Sequence, residues 1–145
     1  LQIAEMKIFL DANILVSVLN KEYPLFTYSS RVMSLMDNSK FEVYTSPICL
    51  AIAFYFAEKK SGTAKAKQKM EILCDKIEIA PSDKSSVVKT VQNKSIQDFE
   101  DGLEYYSAEA VTCKCIITED KTDFFFSEIE VLDSQSFLKK YVMSS

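Results

Sequence analysis

Asp11, Asp98, Asp101, Glu119 and Asp120 are the side chains of this sequence best placed to do chemistry together. Asp11 directly follows the short apolar run MKIFL, and Glu119 and Asp120 directly follow CIIT. Asp98 and Asp101 are three residues apart at the start of a helical pattern, which puts both on one helix face. An Asp after a strand is also an ordinary helix cap, and acidic residues in a first turn also complement the helix dipole. The recurrence of carboxylates at matching strand ends is what favours a site. Carboxylates gathered there repel one another unless a cation holds them, and Mg²⁺ and Mn²⁺ are the ions that carboxylate oxygens and retained waters bind. One or two such ions would activate a water and stabilise the leaving oxygen in phosphodiester hydrolysis. The chain has no histidine, which removes Ser–His and Cys–His nucleophile pairs and histidine-ligated zinc. Metal-carried hydrolysis needs none of these.

Short apolar strands alternating with helices must position these groups. Met6–Leu10 reads as a buried strand and Asp11–Leu19 as a helix with Ile14, Leu15, Val18 and Leu19 on one stripe. Tyr28–Met36 reads as a helix and Phe41–Thr45 as a strand. Ser46-Pro47 is a cap-and-first-turn signal that opens an apolar helix to about Lys60. Helices follow at Thr63–Cys74, Asp83–Gln92, Ser95–Thr112 and Asp133–Tyr141, with strands at Ile77–Ala80, Cys115–Thr118 and Ile129–Leu132. This order predicts a three-layer α/β/α fold with a central, mainly parallel sheet. Active sites of such sheets lie outside the carboxyl ends of the strands at the topological switch point.

Composition narrows the possibilities. A length of 145 residues suits one domain, read here as residues 6–145, and 48% hydrophobic content is enough for a sizeable core. Leu1–Glu5 read as a cloning remnant or a disordered N-terminal extension, with Met6 a candidate natural start. No apolar run reaches the roughly 18–20 residues of a membrane-spanning helix, and no signal peptide is evident. Cys49, Cys74, Cys113 and Cys115 form no CxxC pair and read as buried small hydrophobes of a reducing, cytoplasmic compartment. The net charge of −4 argues against a simple nucleic-acid coat, and Arg31 is the single arginine, so lysines would make any backbone contacts.

Four stretches together resemble a PIN domain: KIFLDANILVSVL from Lys7, YTSPICLAIAFY from Tyr44, IQDFEDGLEYYSAEA from Ile96 and CIITEDKTDF from Cys115. The resemblance covers nearly the whole chain from Met6. It implies an Mg²⁺- or Mn²⁺-dependent ribonuclease, and many bacterial members are toxins of VapBC-type toxin–antitoxin pairs. Such toxins cleave RNA, are often homodimeric, and are blocked by a small antitoxin whose tail occupies the site. Carried over residue by residue, it implies Asp11, Asp101 and Asp120 as metal ligands, with Asp98 one turn before Asp101 as a further ligand or water-orienting base. Asn13, Thr118 and Asp123 would support them, with Asn13 and Thr118 preferred over Ser17 and Ser46 as hydrogen-bond donors.

The sequence departs from the family pattern at two places. The family usually carries an acidic residue about six positions after the serine of the second stretch, and Ile52 stands there. Glu58 is too far round the helix to replace it. The departure sets a second expectation, a weakened PIN scaffold that binds RNA or a protein partner without cutting. The fourth stretch is also read as one residue longer than usual, so the loop ligand is Asp120, Glu119 or Asp123.

Lys59, Lys60, Lys65, Lys67 and Lys69 surround Ser61-Gly62 and read either as a solvated face or as a surface for RNA backbone, with Lys59, Lys60 and Lys65 the nearer candidates. The runs Phe54-Tyr55-Phe56 and Phe124-Phe125-Phe126 cannot face one core entirely, which predicts exposed aromatics suited to an antitoxin helix or a dimer surface.

Overall fold

The computed structural model describes residues 5–143. The reading of an N-terminal extension therefore lies outside the described residues for Leu1–Ala4, whereas the Glu5 amide donates to the Lys40 carbonyl at 3.0 Å. Five strands form one wholly parallel sheet: β1 (Met6–Leu10), β2 (Phe41–Thr45), β3 (Glu78–Ile79), β4 (Cys115–Ile117) and β5 (Glu130–Leu132). Their order is β3-β2-β1-β4-β5. The chain runs outward from β1 to β2 and β3, then returns to place β4 and β5 on the other side. The switch point therefore lies between β1 and β4, where Leu10 pairs with Ile117.

The central strands β1 and β4 are buried. Ile8, Phe9 and Leu10 of β1 and Cys115, Ile116 and Ile117 of β4 are all fully buried. Both faces of these strands are covered, so the sequence shows continuous apolar runs rather than alternation. Phe137, Leu138, Ile14 and Leu15 close the same core.

Among the described residues, seven α-helices flank the sheet: α1 (Ala12–Leu19), α2 (Phe26–Met33), α3 (Pro47–Ser61), α4 (Thr63–Cys74), α5 (Lys84–Gln92), α6 (Phe99–Ala110) and α7 (Ser134–Leu138). Among them α1 packs on α2 and α3, α3 on α4, α2 on α7, and α5 on α6. Their starts follow the capping chemistry. Asp11, Ser46, Asp83, Asp98 and Asp133 each accept a backbone N–H at the helix they precede. Gly62, at φ +85°, separates α3 from α4 in a conformation that a Cβ would strain.

The structure corrects several boundaries. The second helix starts at Phe26 and tightens into a 3₁₀ turn over Ser34–Asp37. The long helix begins at Phe99 rather than Ser95, because Asp98 has an extended backbone and caps it. The last helix ends at Leu138 and widens into a π-type turn over Lys139–Met143. Cys74 is exposed, not buried, since the covered stripe of α4 runs through Ala66, Met70 and Leu73.

Gly102 sets how closely α6 approaches α5. A Cβ there would lie 2.9 Å from Ile96 Cγ2 and 3.2 Å from Thr90 Oγ1. Thr90 cannot swing away readily, because it is buried, β-branched and donates to the Ser86 carbonyl at 2.7 Å. Gly102→Ala should therefore destabilise the protein by about 1–3 kcal/mol despite the better helix propensity of alanine. Chemical denaturation checks this, and an unchanged midpoint would show that α6 has room to move.

Candidate metal centre and active site

Asp11 stands at the carboxyl end of β1 and does two jobs there. Its Oδ1 accepts the Ala12 amide at 2.6 Å and so starts α1. Its Oδ2 accepts the Thr118 hydroxyl at 2.7 Å across the switch point. Thr118 follows β4 and is fully buried; its oxygen in turn accepts the Asp120 amide at 3.0 Å. Asn13, on the first turn of α1, ties both strand ends together. Its Nδ2 lies 3.1 Å from Thr118 Oγ1, 3.2 Å from Asp120 Oδ2 and 3.5 Å from Asp11 Oδ2, while its Oδ1 accepts the Glu119 amide at 3.3 Å. The adjoining Ala12 amide and the distant Thr118 hydroxyl thus orient Asp11, and the Asn13–Thr118 pair holds the loop carboxylate beside it.

The third contribution comes from α6. Asp98 accepts the Asp101 amide at 3.1 Å, which fixes the first turn of that helix. Asp101 and, three residues further, Glu104 then project into one cleft with Asp11, Asn13, Asp120 and Asp123. The cleft has a volume of about 300 Å³, and Val16, Leu25, Ile52 and Phe56 form its apolar wall. No lysine or arginine lines it among the described residues.

Electrostatics follow from this one-sided lining. Partial burial raises the Asp101 carboxyl to about 7, helped by repulsion from Asp98, Asp123, Asp11 and Glu100. Burial raises Glu100 as well, with Asp98 and Asp11 adding to it, and Asp123 rises for the same reasons with Asp120 first among its neighbours. Burial pushes Glu104 up to about 11, reinforced by its hydrogen bond to Asp11 and that residue's charge. Oxygen donors crowded together and partly desolvated, with no positive charge lining the cleft among the described residues, suit a hard divalent cation.

The expected site residues separate into groups. Asp11, Asn13, Asp101, Asp120 and Asp123 line the cleft, and Thr118 supports it from beneath. Asp98 faces an adjoining depression with Glu100, Asp101 and Asp123. Of the loop alternatives, Glu119 points away, its Oε2 accepting the Ser134 amide at 3.0 Å and hydroxyl at 2.8 Å. Ser17 donates to the Ile14 carbonyl, and Ser46 caps α3. Lys59 and Lys65 are exposed, but the Lys60 ammonium donates to the Asn20 carbonyl beyond α1. Lys69 likewise donates to the Leu19 carbonyl at 2.9 Å, so these two lysines satisfy the end of α1. Tyr55, Phe56 and Phe125 are exposed, whereas Phe124 is buried.

Glu104 was not among the residues expected from sequence. It is 1% exposed. The available signal was its helical register: Asp101, Glu104, Tyr105 and Ala108 share one stripe, and the last three are buried.

Comparison with known proteins identifies the family. The PIN domain family model matches residues 7–122. The chain is 29% identical over 142 residues to Ribonuclease VapC1 of Aquifex aeolicus, covering 93% of this chain and 95% of that protein. Among solved structures it resembles VapBC2 from Rickettsia felis bound to a promoter DNA fragment (TM-score 0.67, 21% identity, 88% of this chain and 98% of the other). It also resembles VapC20 of Mycobacterium tuberculosis, described as a sarcin–ricin-loop-cleaving toxin (TM-score 0.60, 14% identity, 75% and 86%). These likenesses carry the fold, and the family match spans both strand ends and the α6 carboxylates: the chain belongs to the PIN domain family.

Proposed function

We propose that this protein is a divalent-metal-dependent endoribonuclease and the toxin half of a toxin–antitoxin pair. The observation that carries the reading is the convergence of Asp11, Asp101 and Asp120, from three separate segments, on one cleft without a basic side chain. Asp11, Asp101 and Asp120 would hold Mg²⁺ or Mn²⁺. A bound ion supplies Lewis-acid activation of water and charge stabilisation on the phosphodiester. Asn13 and Thr118 keep Asp11 and Asp120 at a fixed separation, so the donors are preorganised before RNA arrives. Asp98 acts as a positioning residue, since its carboxylate holds the amide of Asp101. Asp123 reaches the same cleft from the loop and can orient water there. Lys59 and Lys65 offer exposed charge for RNA phosphates, which leaves the cleft itself acidic. The toxin reading rests on the VapC relatives, and an antitoxin would be the expected protein partner.

Ile52 favours a second reading. It lines the cleft from α3 and contributes no ligand, as a scaffold that binds RNA without cutting would allow. One experiment separates the two. Single-stranded RNA is incubated with the protein and Mn²⁺, with and without a chelator. Metal-dependent cleavage that the chelator abolishes is expected. RNA binding without cleavage at millimolar Mn²⁺ would establish the scaffold instead.

A further inference from the structure

Glu104 is, with Asp11, one of two buried carboxylates lining the cleft, and at 1% exposure it is the more completely removed from water. Buried carboxylates are ordinarily paired with a cation or coordinate a metal, because desolvating an unpaired charge is costly. The partners of Glu104 offer no positive charge. Its Oε1 accepts the Cys49 thiol at 2.8 Å, and its other neighbour is the Asp11 carboxyl. One ligand atom from each of Asp11, Cys49 and Glu104 lies within 4.8 Å of the other two. Cys49 and Ile52 are neighbours on one face of α3, three residues apart. Glu104 therefore reaches from α6 to the side of the cleft that α3 lines with Ile52 and Phe56, where the nearest polar group of α3 is the buried Cys49 thiol that donates to it.

We propose that Glu104 is a ligand of the divalent ion, supplying from α6 a carboxylate that α3 does not offer at Ile52. The inference rests on the metal-dependent reading above. Its role differs from that of Asp101, which is half-buried at the mouth of the cleft, whereas Glu104 forms the floor beside Asp11. Asp11 is then held by Thr118 on one side and shares the ion with Glu104 on the other. The Cys49 thiol fixes the Glu104 carboxyl group and keeps it aimed into the cleft.

The test is calorimetric titration of the RNA-free protein with Mn²⁺. Glu104→Gln keeps the size and the hydrogen-bonding pattern of the side chain, so its metal-free melting should match the parent's. Its Mn²⁺ affinity should fall by tenfold or more, a loss on the order of that seen when groups that support a metal site are removed. Adding Ile52→Glu to that variant should restore much of the affinity, because a carboxylate one turn from Cys49 opens onto the same cleft. Should Glu104→Gln not fold, Glu104→Asp carries the comparison, with affinity expected to fall for want of one methylene of reach. Parent-like Mn²⁺ affinity in a folded Glu104 variant, alongside lost affinity in Asp11→Asn, would overturn the role of Glu104 and leave the metal reading intact. Failure of the parent itself to bind millimolar Mn²⁺ would overturn both.

Discussion

Asparagine at position 11 should lower metal-dependent RNA cleavage by about a thousandfold or more, some 4 kcal/mol of transition-state stabilisation, while leaving the fold in place. Most of the structural part of the side chain survives the change. Asparagine retains an oxygen to accept the Ala12 amide and start α1, as Asp11 Oδ1 does. The one structural loss is the acceptor of the Thr118 hydroxyl, whose oxygen already accepts from Asn13 Nδ2 and the Asp120 amide and cannot take a third donor. What disappears is a charge that acts on four other acids of the cleft. Asp11 contributes to the raised values of Glu100, Asp101, Glu104 and Asp123, so its neutralisation relieves repulsion in the metal-free protein. Asp11→Asn should therefore melt close to the parent, the relieved repulsion offsetting the lost Thr118 hydrogen bond. Such a separation of activity from stability is characteristic of a site whose ligands are held against their own repulsion. Cleavage of a labelled RNA and thermal melting of the same preparations check both halves. A variant that cuts within tenfold of the parent would remove Asp11 from the site.

The arrangement behind that expectation was readable from sequence to different depths at different residues. Asp11 and the CIIT strand were legible because buried parallel strands leave apolar runs, and polar residues can follow them only at the sheet edge. The cap Ser46 was legible because unsatisfied helix N–H groups select that residue type, whereas Asp98 was expected within a helix starting at Ser95 and instead caps one starting at Phe99. The choice between Glu119 and Asp120 was not. Consecutive residues of an irregular loop point apart, and their directions depend on Ser134, which arrives from the far side of β5. The use of Lys60 and Lys69 was also hidden, since both read as ordinary solvated charges until α3 and α4 are packed beside the end of α1. Glu104 is the clearest case. Within α6 it is one acidic residue among Glu100, Asp101 and Glu109, and only its meeting with Cys49, 55 residues earlier in the chain, marks it as different. Local chemistry thus specified the elements and the first ligands, and tertiary contact specified the floor of the site.

The same crowding predicts a large pH-dependent response to metal. Unfolded carboxylates titrate near 4. In the folded protein Asp101 lies at about 7 and Glu104 at about 11, both raised first by burial. Between those limits the folded state binds more protons than the unfolded state, so these groups stabilise the fold at low pH and lose that contribution as pH rises. Metal-free stability should fall from about pH 5.5 to about pH 8, as Asp101 ionises and its repulsion from Asp98, Asp123 and Asp11 grows. Glu130 and Asp133 have lowered values and act in the opposite sense, but only below the ordinary carboxylate range. A divalent ion competes with the same protons, and its binding therefore tightens over the interval in which the metal-free protein weakens. At a concentration a hundredfold above the dissociation constant it contributes about 2.7 kcal/mol, or about 5–11 °C in melting temperature for a chain of this size. Scanning calorimetry with millimolar Mn²⁺ should show that rise at about pH 8 and little change at about pH 5.5. Equal metal-induced shifts at both pH values would mean that the ion binds without displacing protons, which a cleft built from these carboxylates does not permit.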